Sequence, residues 1–70
     1  MRAIQKIRIM AGLTQAQLAD LAGVSQETIS RIEGGGVTRT ATLDRLAASL
    51  GCTAAQLIEE DQGEAGESVG

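Results

Sequence analysis

Glycines recur along this chain at positions 12, 23, 34–36 and 51, and between them apolar residues return every three to four positions. Glycine weakens a helix interior but suits a helix end. The spacing therefore cuts the sequence into segments of roughly ten residues, each with one apolar stripe at helical period. No stretch alternates apolar and polar residues for long enough to read as a strand. Each segment is shorter than the roughly 12–15 residues that an isolated helix needs, so the stripes must be buried against one another. The expected fold class is all-α, a compact five-helix bundle.

The helix boundaries are legible in the same way. A first helix is expected from about Arg2 to Ala11, with Ile4, Ile7 and Ala11 on its stripe and Gly12 as its stop. Thr14-Gln15-Ala16-Gln17 fits a capping box for a second helix, whose buried side is Leu18, Leu21 and Ala22. Ser25 caps a third, from Gln26 to Glu33, and a fourth begins near Thr40 with Leu43, Leu46, Ala47 and Leu50. A second capping box, Thr53-Ala54-Ala55-Gln56, opens a fifth helix carrying Leu57 and Ile58. The expected core is Ile4, Ile7, Leu13, Leu18, Leu21, Ala22, Val24, Ile29, Ile32, Leu43, Leu46, Ala47, Leu50 and Leu57. One domain is expected over residues 1–60. Residues 61–70 are mostly Gly, acidic and small polar residues, with Ala65 and Val69 as the apolar ones and little to bury, and read as an acidic, disordered tail.

Composition narrows the function. With 70 residues, no His, one Cys, no Pro and no aromatic residue, the chain cannot build familiar zinc sites, Ser-His-Asp triads or an internal disulfide. No metal, no cofactor and no enzymatic activity are expected. No apolar run approaches the roughly 18 residues of a membrane span, and the polar start Met1-Arg2-Ala3-Ile4-Gln5-Lys6 is unlike a signal peptide. A cytoplasmic protein is expected. The net charge of −3 is unevenly spread. Residues 1–58 hold six cations and four anions, a balance of +2, while residues 59–70 hold five anions and no cation. A mildly basic body remains compatible with a polyanionic partner.

The most informative segment is Gln15 to Ile32. Ala19 lets two steeply crossing helices approach closely, and Gly23 supplies the positive φ of a sharp turn. At 100° per residue, Ile29 and Ile32 point to one side of the third helix, and Glu27, Ser30 and Arg31 to the other, with Gln26 at the leading edge. That short polar face has the size that enters a DNA major groove about 12 Å wide. A solvated face on an ordinary helix is the plain alternative.

Leu13-Thr14-Gln15, Leu18-Ala19, Ala22-Gly23-Val24-Ser25, Thr28-Ile29-Ser30-Arg31-Ile32-Glu33 and Gly35 together resemble the helix-turn-helix of the Cro and phage-repressor family, also called the XRE type. The similarity extends to Ile4, Ile7, Arg8 and Gly12, and downstream to Leu43-Asp44-Arg45-Leu46-Ala47, Leu50-Gly51 and Leu57. It implies a lambda-repressor-like bundle in which helices 2 and 3 form the helix-turn-helix. The implied partner is double-stranded DNA and the implied role a transcriptional regulator, a dimeric repressor on an inverted repeat. The base readers it implies are Gln26, Glu27, Ser30 and Arg31; phosphate contacts fall on Thr14, Gln15, Ser25, Thr38, Arg39 and Thr40. Glu27 either accepts from a cytosine amino group or pairs with Arg31 four residues on, and the pairing is slightly preferred. Arg8 and Glu33 match two positions that relatives join in a structural salt bridge.

The resemblance also has departures. Gly34-Gly35-Gly36 predicts a loop floppier than usual, with little charge near phosphate, so one subunit should bind weakly and a homodimer would help. The resemblance implies a dimer contact in the fourth-to-fifth helix region, where Cys52, Ala55 and Ile58 are the interface candidates. Cys52 reads either as an intersubunit redox switch or, by preference, as a small apolar filler. A competing function keeps the fold but binds a protein partner, as an antitoxin or anti-repressor does.

Overall fold

The computed structural model describes residues 1–69, with side chains through residue 62. Its elements are α1 (Arg2–Met10), α2 (Gln15–Ala22), α3 (Gln26–Glu33), α4 (Thr40–Ser49) and α5 (Ala54–Val69). Among the described residues there is no strand, and no helix is long and apolar enough to cross a membrane. α2 lies against α3 and α4, α1 against α3 and α5, and α4 against α5.

Local chemistry sets the helix ends. Thr14 Oγ1 accepts from the Gln17 amide at 3.1 Å, and Gln17 Oε1 accepts from the Thr14 amide at 2.8 Å. The same reciprocal pair joins Thr53 and Gln56 at the start of α5, at 3.1 and 2.8 Å. Two backbone donors that the helix cannot use are thus satisfied at each site. After α3 the Gly35 amide donates to the Ile32 carbonyl at 3.1 Å and the Gly36 amide to that of Arg31 at 2.8 Å. These are the paired bonds of a Schellman closure, made possible by φ +103° at Gly35. The glycine run expected to be floppy is therefore a hydrogen-bonded helix stop that fixes where the next loop begins.

One aliphatic cluster holds the bundle: Ile4, Leu18, Ala19, Ala22, Ile29, Ile32, Leu43, Leu46, Ala47 and Leu57 are buried together, with Ile7, Leu13, Val24 and Leu50 partly buried against them. Leu21 corrects the expected core, being 62% exposed. The buried stripe of α2 is centred between Leu18, Ala22 and Ala19, and Leu21 projects roughly 100° from that centre. Ala3, not expected in the core, is buried as well.

α5 runs past residue 60. Asp61 is half-buried and its carboxylate accepts from the Ala3 amide at 3.3 Å, capping from a distance a first turn that has no side-chain cap of its own. One residue earlier, Glu60 lies 3.9 Å from Lys6 on α1. The boundary drawn at residue 60 thus divides a helix whose next residue touches α1. From residue 63 onward the expected disordered tail lies outside the described side chains.

Candidate nucleic-acid interface

Ser25 starts α3 by accepting from the Thr28 amide at 3.1 Å, with the Thr28 hydroxyl 2.8 Å away. Ile29 and Ile32 are fully buried, so the helix is fastened along one side and its opposite side is left bare. Gln26, Glu27, Ser30 and Arg31 are all exposed there. The turn before it is as tight as the sequence requires: Gly23 has φ +70°, the Val24 amide donates to the Ala19 carbonyl at 3.0 Å, and Ala19 is buried at the crossing of α2 and α3.

Beneath this face sits a charged cluster that fixes α1, α2 and α3 together. Arg8 donates through Nε to Glu33 Oε2 at 2.6 Å and through NH2 to Oε1 at 3.1 Å, while NH1 donates to the Leu13 carbonyl at 2.8 Å. Gln15 Nε2 donates to the same Glu33 Oε1 at 3.0 Å, a bond no sequence pattern announced. Glu33 is only 8% exposed. Burial by itself would push its carboxyl up, but the hydrogen bonds from Arg8 and Gln15 and the guanidinium charge outweigh that and hold it below the ordinary value. Gln15 still has a second amide hydrogen, so its anchoring leaves one donor for another partner.

The loop from Gly36 into α4 carries the remaining candidates. Thr38 is half-buried, Arg39 and Thr40 are exposed, and no side chain caps the N-terminus of α4. With Thr28, Arg31, Ile32, Val37 and Thr42, Thr38 and Arg39 line an open hollow of about 260 Å³ between α3 and the loop. Two residues expected to act separately, Arg31 and Arg39, are thereby brought to one concave surface. Thr14 and Ser25 also lie exposed at the starts of α2 and α3, where their oxygens already serve as caps.

The pairing expected between Glu27 and Arg31 does not occur; the ion pairs among the described residues are elsewhere. The Arg31 stem lies instead against the glycine closure. A Cβ added to Gly36 would sit 2.7 Å from Arg31 Cγ and 2.8 Å from the Arg31 carbonyl oxygen. The first contact can yield by a rotamer change, whereas the second is backbone. Gly36→Ala is therefore expected to cost about 1–3 kcal/mol, the usual penalty of overpacking, and to displace the Arg31 stem. Urea unfolding of the two proteins checks the first effect, and their DNA titrations the second.

The interface candidates divide. Ala55 and Ile58 are exposed on α5, Ile58 at 39%, while Cys52 is half-buried against the core. Burial pushes the Cys52 thiol up, away from the thiolate that redox chemistry needs. This favours the filler reading for Cys52. Compared with known families, residues 4–57 match a family model described as helix-turn-helix.

Proposed function

Because this chain belongs to the Cro and phage-repressor helix-turn-helix family of DNA-binding regulators, we propose that it is a dimeric transcriptional repressor that reads an inverted-repeat operator with the outward face of α3. The observation that carries this reading is the contrast across one short helix. Ile29 and Ile32 are sealed in the core while Gln26, Glu27, Ser30 and Arg31 are all bare. A short helix held by one side and presenting polar groups on the other can enter a major groove and meet base edges.

Each reader has a matching base chemistry. Arg31 offers two donors to guanine O6 and N7, Gln26 a donor and an acceptor to adenine, and Glu27 an acceptor to a cytosine amino group. With no ion pair to Arg31, Glu27 is available for that contact. Gln15, Thr38, Arg39 and Thr40, with the Thr14 and Ser25 hydroxyls, flank the helix as phosphate contacts that set register without reading sequence. Cations on this surface are few, so one subunit binds weakly. Two subunits on half-sites about one helical turn apart raise the affinity without any new contact. Ala55 and Ile58 are the exposed apolar groups assigned to that contact, with Cys52 at its edge.

Selection of bound duplexes from a random pool tests the reading. An enriched sequence with two-fold symmetry is expected, bound by two chains. Equal binding of all sequences, or capture of a protein in place of DNA, would contradict it.

A further inference from the structure

We propose that Val37 is an additional base-reading residue, one that takes up the C5 methyl group of a thymine beside the bases under α3. The proposal rests on the reading of α3 as the base-reading helix and extends it to the loop that follows. Val37 is 95% exposed, more than any other large apolar side chain among the described residues. It therefore serves no core of its own chain. Its position is specific: it lines the same hollow as Thr28, Arg31, Thr38, Arg39 and Thr42, on the side of α3 that carries Arg31. The other exposed apolar side chains, Ile9, Met10, Leu21 and Ile58, do not line that hollow.

The residue before the valine is held in place. The Gly36 amide is bonded to the Arg31 carbonyl at 2.8 Å, and the backbone there is packed too closely to admit a Cβ. Val37 thus follows directly on the closure of α3. Its β-branched side chain has few rotamers to lose on contact. The surface around it carries two arginines and three threonine hydroxyls, which suit a polyanion, and the one other aliphatic residue lining the hollow, Ile32, is itself buried in the core and leaves Val37 uncovered. The thymine methyl is the apolar feature that the major groove displays, and a small aliphatic side chain is what reads it.

The test uses the full chain and the duplex selected from the random pool, remade with each thymine in turn replaced by deoxyuridine, which deletes the methyl alone. One thymine per half-site is expected at which this change weakens wild-type binding about fourfold, the factor for burying one methyl-sized group. In Val37→Ala that sensitivity should vanish, while binding to the unmodified duplex falls by the same factor for each half-site. Thermal unfolding of Val37→Ala should match the wild type, since the side chain packs on nothing.

The idea is overturned if no thymine shows a penalty that differs between wild type and Val37→Ala. An equal loss on every duplex would overturn it by assigning Val37 to sugar and phosphate, and a changed subunit number in sedimentation by assigning it to a contact between copies. Gln26→Ala separates this failure from that of the underlying reading. If Gln26→Ala still relaxes the choice of one base pair, α3 reads bases and only the Val37 proposal falls; absence of any preferred duplex would overturn both.

Discussion

Glu33→Ala is expected to destabilise the fold by about 3–5 kcal/mol, the cost of leaving one partner of a buried ion pair uncompensated. A 70-residue chain at roughly 0.05–0.15 kcal/mol per residue has about 3.5–10.5 kcal/mol in all, so the loss removes a large share of its stability. The urea midpoint of the variant should fall steeply. The loss follows from what surrounds the carboxylate: two bonds from Arg8, one from Gln15, and almost no access to water. Without it the Arg8 guanidinium keeps its bond to the Leu13 carbonyl but loses its counter-charge. Arg8→Met combined with Glu33→Leu should recover most of the stability, because an apolar pair of similar volume leaves no buried charge. A urea titration of the three proteins decides it, and equal midpoints for wild type and Glu33→Ala would refute the role given to the cluster.

The same carboxylate gives stability a pH dependence of defined sign. Its folded-state pKa lies below the unfolded value, so across that window the unfolded chain binds more protons and stability rises with pH. The contribution is complete above the unfolded value, around that of an ordinary glutamate. It is lost as pH falls through the folded one. Glu33→Leu paired with Arg8→Met should flatten this acid limb.

Arg31→Ala is expected to leave the fold intact and to weaken binding to the selected operator by roughly 10- to 100-fold per half-site, within the 1–3 kcal/mol that a two-pronged guanine contact brings. On a symmetric operator the loss occurs twice. The side chain is exposed and makes no ion pair among the described residues, so its removal strands no charge. Two readouts separate base reading from general attraction. Replacing the contacted guanine should penalise the wild type but not the variant. Binding to unrelated DNA should change little, with the salt slope falling by no more than about one. A uniform loss on all sequences would make Arg31 a phosphate contact.

The features legible in the sequence were those that local rules control. Thr14 with Gln17 and Thr53 with Gln56 made both bonds of their capping boxes. Gly12, Gly23 and Gly51 stop their helices at positive φ, as the glycine spacing implied. The alternation of buried Ile29 and Ile32 with exposed Ser30 and Arg31 follows from helical period alone. What escaped depends on which helix lies over which residue. Leu21 had the right spacing for the core, but the crossing of α2 by α3 and α4 is centred on the small residues Ala19 and Ala22 and leaves it uncovered. Ala3 is buried, and capped by Asp61, through a contact fifty-eight residues away that no local pattern encodes. Gln15 matched a phosphate position by resemblance, yet its bond to Glu33 needs the folded approach of α2 to the end of α3. The glycine run looked permissive because three glycines are flexible in isolation; only the Schellman bonds show Gly36 pressed on Arg31.

The central claim is that the bare side of α3 meets base edges in the major groove, and dimethyl sulfate footprinting on the selected duplex tests it most directly. The reagent marks guanine N7 in the major groove and adenine N3 in the minor groove, so one gel reports both. The account predicts a protected guanine N7 in each half-site, which becomes reactive again with Arg31→Ala, while adenine N3 reactivity under α3 stays unchanged. Protection confined to adenine N3, or a guanine pattern that Arg31→Ala leaves untouched, would contradict it.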